Sequence, residues 1–187
     1  ATGVIAASGG NHGIATAHAA RALHHRSEIF VPEIAAPVKV ARLRELGANV
    51  NQVGASYAEA FAACATRQRE TGALLVHAYD QPETVAGQGT IALEWSEQAG
   101  ALDTVLVAVG GGGLIAGMAC WWQRDVRIVA VEPERCPTLH RARAAGAIVD
   151  VEVGGIAADS LGARRIGAIA FDAAHRWIDD VVLVTDE

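Results

Sequence analysis

Short runs of apolar, often β-branched residues alternate along the chain with longer segments in which apolar positions recur at helical spacing. The short runs predict strands over residues 4–7, 29–31, 49–53, 74–77, 104–109, 127–131 and 181–184. The longer segments predict helices between them. Over residues 12–25, Ile14, Ala15, Ala19, Ala22 and Leu23 form one stripe with Arg21 and Arg26 off it. Residues 36–46 repeat the pattern, with Gly47 placed as the C-terminal cap. Residues 84–98, entered through Pro82, and residues 114–123 follow. Regular alternation of this kind feeds a parallel sheet, so the predicted fold class is α/β, with parallel sheets flanked by helices in three layers.

The turn-forming cluster Tyr79-Asp80-Gln81-Pro82 separates a first run of βα units from a second. It predicts a small α/β domain over residues 1–78 and part of a larger one over residues 79–187. Residues 104–123 carry no charge over a length that could cross a bilayer. Four consecutive glycines at the centre argue against a spanning helix, so a buried strand, a glycine loop and a helix are predicted there.

Composition narrows the function classes. Fifteen Lys and Arg against 21 Asp and Glu leave a net charge of −6, which provides no electrostatic footprint for nucleic acid or an anionic membrane. A small-molecule ligand is expected instead. Apolar residues make up 51% of the chain, enough to offset the entropy of ordering it. Cys64, Cys120 and Cys136 are odd in number and widely spaced, which predicts neither a disulfide framework nor a zinc ribbon and favours a cytoplasmic setting. The N-terminal run Ala1-Thr2-Gly3-Val4-Ile5 has no basic residue and no initiator Met, predicting no targeting signal and a chain cut from a longer one.

Two glycine-rich segments at strand-to-helix junctions carry candidate chemistry. In Val109-Gly110-Gly111-Gly112-Gly113-Leu114 the absence of Cβ atoms allows a tight turn that aims several N–H groups at one anion, and the following helix adds partial positive charge. The alternatives are a tight turn with nothing bound, or a dinucleotide site: Gly111-x-Gly113-x-x-Ala116 precedes Glu132 by about the interval at which a ribose-binding carboxylate stands. In Ser8-Gly9-Gly10-Asn11-His12-Gly13, backbone donors and the side chains of Ser8, Asn11 and His12 suit a carboxylate or phenolate oxygen. A merely well-capped helix is the plainer alternative. A hydrolase elbow built on Ala6-x-Ser8-x-Gly10 is the third.

Taken in order, Ser8-x-Gly10-Asn11-His12, His77-Ala-Tyr-Asp80, Gly87-Gln88-Gly89-Thr90, the tetraglycine loop and Val131-Glu132-Pro133 resemble the serine/threonine dehydratase branch of the fold type II enzymes that use pyridoxal 5′-phosphate (PLP). The resemblance implies that Gly110, Gly111, Gly112, Gly113 and Leu114 hold the cofactor phosphate. It also implies that Asn11 contacts the oxygen at C3 of the ring, and that Ser8, Gly10, Asn11 and His12 receive the substrate carboxylate. The activity it implies is β-elimination of a hydroxy amino acid to a 2-oxo acid and ammonia, by a homodimer or homotetramer; the richness in alanine and arginine separately points to a bacterial source. A serine racemase is the related alternative; racemases of this kind resemble one another in a Ser where this chain has Gly9. In the family the Schiff-base lysine precedes the Ser-x-Gly-Asn-His segment, and no lysine precedes Ser8 here. The only lysine is Lys39, read as lying on a solvated helix face. No catalytic residue is therefore assigned within the chain, and the architecture is expected to be incomplete. A divalent metal site of some relatives matches at Glu132, but Thr138 stands where a carboxylate is expected, and no metal is assigned.

Overall fold

A computed structural model describes residues 2–187; Ala1, the first residue of the uncharged N-terminal run, lies outside them. The chain divides into two compact units, Ala1–Ala78 and Tyr79–Glu187.

The first unit contains β1 (Val4–Ala7), α1 (Asn11–Ala22), β2 (Ser27–Val31), α2 (Pro37–Glu45), β3 (Asn49–Gln52), α3 (Tyr57–Thr71) and β4 (Leu74–Leu75). Its strands form a parallel sheet in the order β3-β2-β1-β4, with Val4 opposite Ser27 on one side and Leu74 on the other. Alternation sends successive side chains to opposite faces. Ala6, Ile29 and Val31 pack against Ala17 of α1 and Val40 and Leu43 of α2, while Ile5, Ala7 and Phe30 pack against Cys64 of α3. Burial on both faces explains why these strands read as nearly continuous apolar runs.

The buried face of α1 is not the predicted stripe. Gly13, Thr16, Ala17 and Ala20 face inward, whereas Leu23 is 67% exposed. Small side chains win because the helix lies almost against the preceding strand end: a Cβ on Gly13 would stand 1.9 Å from the Ser8 carbonyl oxygen. The sequence signal for α3 is a capping box, Ser56-x-x-Glu59, which the apolar spacing did not single out.

The second unit contains α4 (Pro82–Ala99), β5 (Thr104–Ala108), α5 (Gly113–Trp122), β6 (Arg127–Pro133), α6 (Thr138–Ala145), α7 (Ala158–Leu161), α8 (Ala168–Trp177) and β7 (Asp180–Val184). Here β5, β6 and β7 form a second parallel sheet in that order. Val105, Val107, Ile128 and Ala130 build one core with Val85 and Ala92 of α4, Ile115 and Ala119 of α5, and Ala170 and Ala174 of α8. Helices α4 and α5 touch backbone to backbone at Gly89 and Gly117; a Cβ on Gly117 would lie 2.4 Å from the Val85 carbonyl oxygen. Trp122 is buried there and donates through Nε1 to Ser96 Oγ at 2.8 Å, while Trp121 is half exposed. The opposite sheet face presents Leu106, Val182 and Val184 to the surface. The uncharged stretch 104–123 resolves into β5, a turn and α5, and among the described residues no helix is long and apolar enough to cross a membrane.

Candidate functional site

The tetraglycine turn connects β5 to α5 and is compressed from behind. A Cβ on Gly111 would lie 2.3 Å from the Tyr79 ring, on Gly113 2.8 Å from the Tyr79 backbone, on Gly110 3.0 Å from the Leu161 backbone, and on Gly112 2.5 Å from Ala170 and Ile166. Gly112, the N-cap of α5, has φ +88°, a conformation that L side chains rarely adopt. Four glycines are thus a steric requirement of the packing.

Three carbonyls in the turn are tied back. Gly110 O accepts from Thr138 Oγ1 at 2.6 Å, Gly111 O from Gly167 N at 3.0 Å, and Gly112 O from Ala116 N at 2.9 Å. A trans peptide is planar with its C=O and N–H on opposite sides, so each tied carbonyl fixes the direction of the next residue's N–H. The N–H groups of Gly110, Gly111, Gly112, Gly113 and Leu114 donate to no acceptor among the described residues. Gly112 and Gly113 are buried, and a buried N–H without an acceptor costs roughly 1–3 kcal/mol. Donors so arranged at a helix N-terminus have the geometry that an anion accepts.

The second turn joins β1 to α1. Gly10 is the N-cap of α1 and no side chain caps the helix, so the plainer reading of Ser8 or Asn11 as a cap is not realised. The N–H groups of Asn11, His12 and Gly13 donate to no acceptor among the described residues. Ser8 Oγ accepts from Gly10 N at 3.2 Å, which leaves its own hydrogen available for a ligand. His12 behaves differently from the expectation that its ring holds an anion. Its Nε2 lies 3.0 Å from the Val76 carbonyl and must donate to it, and burial lowers its pKa, keeping the ring neutral with Nδ1 as an acceptor. What His12 offers an anion is its backbone N–H. The Val76 carbonyl that the ring meets lies just past the end of β4 at Leu75. With the ring turned to Val76, no Ser–His pair forms as a hydrolase elbow requires.

Glu132 is wholly buried. Its Oε1 accepts from Leu139 N at 2.8 Å and contacts Thr138 Oγ1 at 3.0 Å, while Oε2 accepts from His140 N at 2.8 Å. Burial pushes its carboxyl upward against the opposing pull of these hydrogen bonds. The carboxylate serves the N-terminus of α6 and presents nothing to a ribose, which corrects the dinucleotide reading of its spacing. Sequence reasoning missed the partner of Asp80: Oδ1 accepts from Ile169 N at 3.0 Å and closes the N-terminus of α8. Lys39 lies half-buried on α2, in neither turn. A cavity of about 690 Å³ beside α6, lined in part by Arg135, Arg141, Asp150 and Glu152, includes no residue of either turn.

The chain is 41% identical over 190 residues to the L-threonine ammonia-lyase of Geobacter sulfurreducens, an alignment covering all of this chain and 47% of that protein. It superposes on maize serine racemase with a TM-score of 0.94 at 34% identity, over 100% of this chain and 57% of that one. On the processed form of threonine deaminase isoform 2 from Solanum lycopersicum the TM-score is 0.93 at 30% identity, over 98% and 55%. The chain spans less than half the length of the curated relatives it matches. The sequence profile of the pyridoxal-phosphate dependent enzymes matches residues 1–187 from end to end, and the chain belongs to that family.

Proposed function

We propose that this chain is part of a PLP-dependent ammonia-lyase that eliminates the β-hydroxyl group of L-threonine or L-serine and releases a 2-oxo acid and ammonia. The observation that carries the reading is the row of acceptor-less N–H groups from Gly110 to Leu114, in a chain 41% identical to an L-threonine ammonia-lyase. The residues fit the cofactor: the turn offers only donors at a helix N-terminus, and the carboxylates beside its supports, Asp80 and Glu132, are spent on α8 and α6. When bound, the cofactor's ring takes up the negative charge that develops at the amino-acid Cα.

In this reading Gly110, Gly111, Gly112, Gly113 and Leu114 hold the phosphate, and the Asn11 side chain meets the oxygen at C3. The Ser8 hydroxyl and the N–H groups of the Gly10-Asn11-His12 segment bind and orient the substrate carboxylate. Residues 1–78 form the small domain and residues 79–187 part of the large one. By the resemblance, the lysine that moves the Cα proton precedes the Ser-x-Gly-Asn-His segment, and Lys39, which follows it on α2, is not assigned that role. Oligomeric assembly and a reducing cytoplasm belong to the same proposal; Cys64, Cys120 and Cys136 are all free.

The test is the protein expressed from its whole reading frame, mixed with PLP and then L-threonine. A visible absorption band abolished by borohydride, together with release of 2-oxobutyrate, is expected; a protein that stays colourless with PLP overturns the reading. Similarity to maize serine racemase makes racemisation the second reading. A Cβ on Gly9 would meet Val31 Cγ1 at 3.4 Å, an ordinary contact, so a serine fits there but its hydroxyl is missing. D-serine formed from L-serine at a rate matching elimination would favour the racemase.

A further inference from the structure

Of the three carbonyls that anchor the tetraglycine turn, Gly111 and Gly112 are held by backbone donors and only Gly110 by a side chain, the Thr138 hydroxyl. Thr138 and Glu132 are both wholly buried, and Thr138 opens α6 directly beside the Glu132 carboxyl. Glu132 is itself immobilised by the Leu139 and His140 N–H groups. A threonine hydroxyl carries one hydrogen, and the shorter contact, to Gly110 O, takes it. Glu132 Oε1, at 3.0 Å, is the second acceptor within reach of the same hydroxyl and packs against it from the side away from the turn.

We propose that Thr138 is a positioning residue for the anion-binding turn: seated by Glu132, its hydroxyl ties back the Gly110 carbonyl and thereby aims the Gly111 N–H at the ligand phosphate. Without it the peptide between Gly110 and Gly111 is free to rotate, as a residue lacking Cβ allows. The ligand's identity rests on the PLP reading above; the geometry of the brace does not.

The test compares Thr138→Ser with Thr138→Ala, which both lack the methyl group and differ only in the hydroxyl. PLP affinity is measured by fluorescence titration of the protein from its whole reading frame, with pyridoxal, which lacks the phosphate, as control. Ser is expected to bind PLP as the parent does, and Ala roughly tenfold more weakly, the effect of one hydrogen bond. Pyridoxal affinity is expected to be the same in both. Equal PLP affinity for Ala and Ser overturns the proposal, as does equal weakening of PLP and pyridoxal in Ala. Should Ala fail to fold, Thr138→Val, which keeps the volume, takes its place against Ser. A parent protein that takes up no PLP defeats the cofactor reading instead, and the same pair is then titrated with inorganic phosphate, where the same ordering is required.

Discussion

Helices α3, α6 and α8 begin closed, and helices α1 and α5 begin open. Ser56 and Glu59 close α3 reciprocally, Glu132 takes the first N–H groups of α6, and Asp80 takes that of Ile169 in α8. At α1 and α5 the N-cap is a glycine, Gly10 or Gly112, and no side chain reaches the orphan donors. Every helix has such donors, so the presence of free N–H groups alone signifies little. Glycine at the N-cap does not by itself make the difference, since Gly167 caps α8 and Asp80 still closes it; what sets α1 and α5 apart is that no acidic side chain closes a helix end entered through a run of glycines. Among these five helices, the two open ends are also the two segments whose residue types suit an anion.

The largest effect is expected at the tetraglycine turn. Gly111→Ala drives a Cβ into the Tyr79 ring and is expected to abolish PLP uptake and to cost roughly 3 kcal/mol of stability, read by titration and urea unfolding. At a closed end, Glu132→Ala strands the Leu139 and His140 N–H groups in a buried site and is expected to cost about 2 kcal/mol. Glu132→Gln retains most of that loss.

Acidification probes the other open end. Burial holds the His12 pKa below its unfolded value of about 6.5, so the folded state binds fewer protons and stability falls as pH drops below that value. His12→Gln is expected to flatten this part of the pH dependence of the urea midpoint; an unchanged slope would show that His12 titrates alike folded and unfolded. The smallest effect is Ser56→Ala, about 1 kcal/mol in unfolding with no change in PLP affinity, since α3 contributes no residue to either glycine turn. If it weakens PLP as Gly111→Ala does, the division between closed and open ends fails.

Most of the architecture was legible in local pattern. Strand cores at residues 4–7, 104–108 and 127–131 follow from apolar runs, and both glycine turns announce themselves by composition. Gly47 at φ +84° follows the last turn of α2 as a cap should. The site was less legible wherever a side chain's partner lies far along the chain. Spacing alone made Glu132 a ribose ligand, because nothing local reveals that the first turn of α6 folds back onto it. The ring of His12 read as an anion donor, because the Val76 carbonyl that claims it is 64 residues away. Asp80 was visible only as part of a turn; its acceptor role is decided by Ile169, 89 residues on.

By itself, then, the sequence determined where the backbone turns and which segments alternate at period two or 3.6. Those properties depend on torsional freedom and neighbours within a few residues. Only the tertiary structure decided which lone pairs and N–H groups remain available, since each is claimed or left open by strands and helices brought together across the chain. The row of unclaimed N–H groups in the tetraglycine turn is the clearest case: its glycines were written locally, but the carbonyls that orient those N–H groups are held by Thr138 and Gly167 from distant elements.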